Sequence, residues 1–147
     1  MLSQMERILH LKKVPLFADL LVRELTAVAS IAREREFPPG TVIIREGEVG
    51  ESLYIILAGR VSVIKDLGTP RELHIADIGR DDYFGEMALF DRGPRSASVV
   101  AREPTEALEL SRLEFNEIMK EFPRIAIHAC RVFSRRLREL QSMIQDG

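Results

Sequence analysis

Apolar positions recur along the chain with two different periods, and the change of period divides it into three parts. In the first part Met5, Ile8, Leu9 and Leu11 fall at helical spacing before Val14-Pro15. Leu21, Leu25, Val28, Ala29 and Ala32 then repeat at i, i+4, i+7, i+8 and i+11, the single apolar face of a helix. Phe37-Pro38-Pro39-Gly40 ends this region, because two prolines remove backbone donors and glycine permits a turn. From Thr41 the runs are short and β-branched. TVIIR, SLYIIL and RVSVIK are separated by EGEVGE and Ala58-Gly59. ELHIAD, ASVVAR and EALELS continue the series, with Gly68-Thr69-Pro70 and Glu103-Pro104 as turns. Short strands at this spacing predict an antiparallel barrel or sandwich, without giving its strand order.

Helix returns at Ser111-Arg112-Leu113-Glu114, which has the S-x-x-E form of a capping box. After Phe122-Pro123 a long helix is expected to about Gln145. In it Ala126, Cys130, Phe133, Leu137, Leu140 and Ile144 follow a 4, 3, 4, 3, 4 spacing, an a/d seam. Two readings of the seam stand open: packing on the protein's own barrel, or a homodimer through this C-terminal helix.

Composition narrows the function classes. The 147 residues are 46% hydrophobic and 30% charged, the mix of an ordinary globular domain with a full core. Twenty-one Lys and Arg against 23 Asp and Glu give a net charge of −2, without the basic footprint of a nucleic-acid binder. The nearest approach, Arg131, Arg135, Arg136 and Arg138, reads as a solvated helix face or a surface for an acidic partner. A lone cysteine, Cys130, excludes an internal disulfide and cysteine-ligated clusters, and His10, His74 and His128 lack metal-ligand spacing. No catalytic constellation is visible, so neither an enzyme nor a metal site is expected. No run approaches eighteen apolar residues, and MLSQMERILHLKK lacks the apolar stretch of a leader, so a cytoplasmic domain is expected.

One stretch departs from this pattern: Asp81 to Val99, which contains FGEMALFDRGPRSASV. Gly85 stands where a strand gives way to helix formers, Glu86 to Phe90. A helix opening at glycine leaves unpaired N–H groups with no side chain before them, which favours an anion. Arg95 enters an apolar strand, where a charge needs a partner, and its planar fork suits phosphate. Glu86 could accept hydrogen bonds from the hydroxyls of a ribose. Residue types alone leave a second reading open, in which Glu86 and Arg95 pair with each other across a turn.

This block resembles the phosphate-binding cassette of cyclic nucleotide-binding domains, which reads FGE, a short apolar helix, then PR, two small residues and V. LKKVPLFADL, FPPGTVIIREGEVGESLYIILAGRVSVIK and Asp82-Tyr83 match the family pattern in order, so the resemblance runs from about Ile8 to about Leu140. It implies a mainly β fold, an eight-stranded antiparallel β-roll (jelly roll) with N-terminal helices and a long C-terminal helix. The chain then divides into N-terminal helices 1–36, a roll 37–111 with the cassette at 84–99, and C-terminal helices 112–147.

By the same resemblance the nucleotide is held by Gly85, Glu86, Met87, Ala88, Arg95, Ser96 and Ala97. Arg95 pairs with the cyclic phosphate, Glu86 takes the ribose 2′-hydroxyl, and Ser96 adds a hydroxyl. Gly47, Gly59 and Gly79 are turn glycines with a structural role. Val63, Ile75, Leu89 and Val99 either line the base pocket or are plain core. Leu140 and Gln141 stand where the catabolite-activator group has its adenine-contacting lid, which puts the usual lid in doubt. Serine after the arginine resembles that group, favouring cAMP as ligand over cGMP. The expectation is a regulatory domain that senses a cyclic nucleotide and reports through its last helix to an effector that the sequence does not identify, without direct nucleic-acid binding. The alternative is an interaction domain of the same fold that responds to no nucleotide.

Overall fold

The computed structural model describes residues 1–146, with side chains through residue 144. Two helices, α1 (Gln4–Leu11) and α2 (Val22–Ile31), precede the strands. Ser3 caps α1: its hydroxyl accepts from the Glu6 amide at 3.1 Å and the Glu6 carboxylate accepts from the Ser3 amide at 3.1 Å. That reciprocal pair satisfies donors a helix start otherwise leaves open.

Eight strands follow in two antiparallel sheets. β1 (Arg33–Phe37), β8 (Thr105–Ser111), β3 (Ser52–Ala58) and β6 (Tyr83–Phe84) form one sheet in that order. β2 (Val42–Ile44), β7 (Ser98–Ala101), β4 (Val61–Lys65) and β5 (Leu73–Ile78) form the other. α3 (Arg112–Glu121) and α4 (Arg124–Asp146) close the described chain. Ser111 accepts from the Glu114 amide at 3.3 Å, as its spacing predicts.

β3 explains why its sequence is apolar without alternation. Tyr54 and Ile56 point into the roll, beside Phe37, Val61, Phe84 and Val99. Leu53 and Ile55 point outward, beneath Leu25, Val28, Phe115 and Ile125 of the helices. A strand covered on both faces reads as a continuous hydrophobic run.

Two expectations need correction. Arg33–Phe37 is a strand, not the tail of a helical region reaching residue 36; it pairs with β8 from Arg33↔Glu109 to Phe37↔Thr105. Its burial pattern, exposed until Phe37, carries no inward alternation, which is why the sequence did not reveal it. α4 buries Ile125, Ala129 and Val132, one position away from the predicted seam. Of that seam only Ala126 and Phe133 are partly covered, while Cys130, Leu137, Leu140 and Ile144 face outward. Packing on the protein's own roll thus uses a neighbouring face, leaving the a/d stripe open.

Candidate nucleotide site

At one end of the roll a cavity of about 350 Å³ opens beside the short 3₁₀ helix Glu86–Leu89. Gly85, Glu86, Met87, Ala88, Arg95, Ser96 and Ala97 all line it, with Ile44, Val63, Phe84 and Val99 as its apolar wall. Gly85 has φ +86°, the left-handed region that glycine enters without steric cost. This turn redirects the chain from β6 into the 3₁₀ helix. The ladder of that helix starts with Ala88 donating to the Gly85 carbonyl at 3.0 Å, so the Glu86 and Met87 amides precede it.

Two glycines shape a slot for the Arg95 guanidinium. A Cβ on Gly85 would stand 2.7 Å from Nη1 of Arg95 and 2.7 Å from the Ser52 carbonyl oxygen. A Cβ on Gly50 would overlap Nε and Cζ of the same side chain. The backbone of Arg95 is fixed as well: its amide donates to Glu48 at 2.8 Å, and its carbonyl accepts from Gly47 at 2.9 Å. Gly47, expected as a plain turn residue, therefore also sets where the arginine begins.

Arg95 and Glu86 do not pair. Nη2 of Arg95 donates to the Ser52 carbonyl at 2.7 Å, and no carboxylate lies within 4.0 Å of it among the described residues. Burial pulls its pKa below the ordinary arginine value, and the nearby Arg112 charge acts in the same direction against Tyr54 and Glu86. It remains a cation. Glu86 instead accepts from Nη1 of Arg136 on α4 at 3.1 Å, and Nη2 of Arg136 donates to the Tyr83 hydroxyl at 3.4 Å. Burial raises the Tyr83 pKa, with the Glu86 charge adding to it, so the phenol stays neutral and able to share in this cluster. The Arg136 guanidinium lies over the Phe133 ring at 5.5 Å. Phe133 meets Phe90 edge-on at 5.4 Å, and Phe90 meets Phe115 of α3 edge-on at 5.8 Å. Both terminal helices thus touch the segment that carries Glu86.

Several expected residues lie elsewhere. Ile75 is 54% exposed on the edge strand β5. A register shift between Val63 and Ile64 pairs them with Ala76 and His74, leaving Ile75 unpaired between, and it does not line the cavity. Leu89 is fully buried in the helix-side core. Leu140 and Gln141 are exposed beyond Arg136 and do not line the cavity. α4 passes Glu86 at Arg136, and Leu140 is about one turn, roughly 6 Å, further along.

Sequence reasoning missed Gly50 and Arg136. Gly50 is one of several glycines in turn-rich stretches, and only the close approach of Arg95 distinguishes it. Arg136 is one of four arginines on an apparently solvated face, of which Arg131, Arg135 and Arg138 are indeed exposed. Among the described residues no group of three or more His, Cys, Asp or Glu could hold a metal, and no helix is long and apolar enough to cross a membrane.

Comparison with known proteins agrees with this geometry. The chain is similar to the cyclic AMP receptor protein of Thermus thermophilus, with 36% identity over 129 residues, 88% of this chain and 60% of that protein. It spans 56–60% of the length of such bacterial regulators. The N-terminal domain of a transcriptional regulator from Streptomyces coelicolor A3(2) superposes with a TM-score of 0.83 at 28% identity, covering 92% of this chain and 94% of that one. The regulatory subunit of a cAMP-independent protein kinase A from Trypanosoma brucei superposes at 0.72 and 29% identity, covering 96% and 51%. Residues 34–122 match the family model of the cyclic nucleotide-binding domain, and with a β-roll built around that cassette the chain belongs to this family.

Proposed function

We propose that the chain is a regulatory domain that binds a cyclic nucleotide, cAMP in preference to cGMP, and reports the binding through α4. One observation carries this reading: Arg95 is held in a two-glycine slot with, among the described residues, only a carbonyl for a partner, facing the cavity that Glu86 also lines. A cyclic phosphate supplies the missing anion, and the fork geometry of the guanidinium suits it. The Glu86 and Met87 amides add donors. One Glu86 oxygen is engaged by Arg136, and the other is available to the ribose 2′-hydroxyl. The apolar wall at Val63 and Val99 takes the base. Ser96 after the arginine, together with the name of the Thermus relative, favours cAMP.

Transmission follows from who holds Glu86. A ligand that engages this carboxylate changes the setting of Arg136, and movement of the 3₁₀ helix carries Phe90 against Phe133 and Phe115. Differential affinity for two placements of α4 then sets their populations. The open stripe of Leu137, Leu140 and Ile144 suits a second copy of the helix, which sedimentation would reveal as a dimer. The domain works in the cytoplasm on an effector elsewhere, and carries out no chemistry itself.

A second reading is an interaction domain of this fold without nucleotide response. It draws on Leu140 and Gln141 lying away from the cavity, and on the likeness to a kinase regulatory subunit described as cAMP-independent. Calorimetric titration with cAMP and with cGMP separates the two. Saturable binding of either below millimolar concentration supports the sensor; heat from neither hands the case to the second reading.

A further inference from the structure

Behind the wall of the nucleotide cavity stands a second guanidinium. Arg112, the first residue of α3, does not line the cavity of Arg95 and Glu86; it lines a neighbouring one of about 190 Å³. Its Nη1 donates to the Gly50 carbonyl at 2.5 Å and reaches the Ala88 carbonyl at 3.5 Å. Its own amide donates to the Glu51 carbonyl at 2.8 Å. No carboxylate lies within 4.0 Å of its side chain among the described residues, and its Nε is buried without an acceptor.

These contacts are odd for a residue kept for stability alone. A sheltered cation whose partners among the described residues are carbonyls alone, with one idle donor, is costly to hold. Its charge also bears on Arg95, whose pKa it depresses after burial has done so. Glu109 and Glu114 line the same small cavity, yet neither pairs with it. What Arg112 does grip are Gly50, one wall of the Arg95 slot, and Ala88 of the 3₁₀ helix that follows Gly85, the other wall. Gly50 is the glycine whose Cβ would overlap Arg95, and the Ala88 Cβ stands 3.0 Å from that same position.

We propose that Arg112 is a positioning residue for the nucleotide site, one that clamps the Gly50 loop and the 3₁₀ helix around Arg95 and adds a second positive charge behind the phosphate. The inference rests on the nucleotide reading above. In the empty site the two guanidiniums repel; an entering phosphate is attracted by both, although only Arg95 touches it. Both carbonyls are reached from the one terminal nitrogen Nη1, which stands one bond farther from the backbone than a lysine Nζ, so lysine falls short of the pair. Lysine at this position therefore keeps the charge and loses the clamp, while methionine loses both at similar volume.

The test is titration of the full chain, Arg112→Lys and Arg112→Met with cAMP, alongside thermal melts. Methionine is expected to weaken cAMP binding about tenfold and lysine about threefold, in that order. The gap between the two variants should narrow as salt is raised, a dependence that lost packing does not produce. Wild-type affinity in the methionine variant overturns the proposal, as does a loss equal in both variants and indifferent to salt. Should methionine abolish the cooperative melt, lysine decides: a folded lysine variant with weakened binding supports the clamp, and one with unchanged binding removes it. Wild-type protein that binds neither cAMP nor cGMP takes down the nucleotide reading itself, and this proposal with it.

Discussion

Ser52 joins two arginine–glutamate neighbourhoods that treat charge in opposite ways. Its hydroxyl donates to Oε2 of Glu109 at 2.6 Å, where the Tyr54 hydroxyl also donates at 3.1 Å and Arg35 closes on Oε1 at 2.6 Å. That neighbourhood is complete: every charge has its counter-charge and the carboxylate is bonded on both oxygens. The Ser52 carbonyl belongs to the other neighbourhood, where among the described residues it is the one hydrogen-bond acceptor of the Arg95 side chain. There the arginine has no carboxylate among the described residues within 4.0 Å, and the nearby Glu86 is held by an arginine from a different element. The same residue types a few ångströms apart thus form a closed structural pair and an open one. An open pair is what a ligand can complete.

The difference predicts which property each side chain governs. The largest effect belongs to Arg95→Ala, which should weaken cyclic nucleotide binding by about 2–5 kcal/mol. That is about 30- to several-thousand-fold in a calorimetric titration, with little change in the melting temperature. Gly50→Ala comes next. Its added Cβ presses on Arg95 in a backbone that tolerates alanine, so affinity should fall by about 1–3 kcal/mol while the fold is kept. On the closed side, Glu109→Ala leaves Ser52, Tyr54 and Arg35 without their acceptor and should cost about 1–3 kcal/mol in denaturant unfolding, with a smaller effect on affinity.

Acid should expose the same asymmetry. Burial works to raise the Glu109 pKa, but the hydrogen bonds from Ser52 and Arg35 prevail and hold it below its ordinary 4.5. A carboxyl depressed in the folded state contributes stability that is present above its unfolded pKa and lost as pH falls through the folded value. Unfolding measured below about pH 4 should therefore show wild type losing a margin that Glu109→Gln never had. The smallest effect is expected at Arg136→Met. The Arg136–Glu86 pair is partly exposed and screened, so affinity should fall only about threefold, as Glu86 loses the group that orients it.

The roll and the cassette were legible in the sequence for different reasons. Strands such as Ser52–Ala58 announce themselves by composition, and the FGE-to-PR spacing is specific enough to place Glu86 and Arg95 on one cavity. What stayed hidden depends on register and approach. Ile75 falls in a register shift beside Val63 and outside the pocket lining, and such shifts leave no mark in an apolar run. β1 was lost because a mostly exposed strand of alternating charge, REREF, has no core-facing pattern to read. The partner of Glu86 could not be read either, because four arginines are spaced along α4 and only the pitch of that helix against the roll selects Arg136. The alternative that Glu86 and Arg95 pair with each other was a fair reading of residue types, and only the distances remove it.

A crystal structure of the chain grown with cAMP tests the central claim most directly. The account predicts cyclic phosphate oxygens within hydrogen-bond reach of the Arg95 guanidinium, between Gly50 and Gly85, with the ribose 2′-hydroxyl on Glu86. A nucleotide bound with its phosphate away from Arg95, leaving that side chain on the Ser52 carbonyl alone, would contradict it.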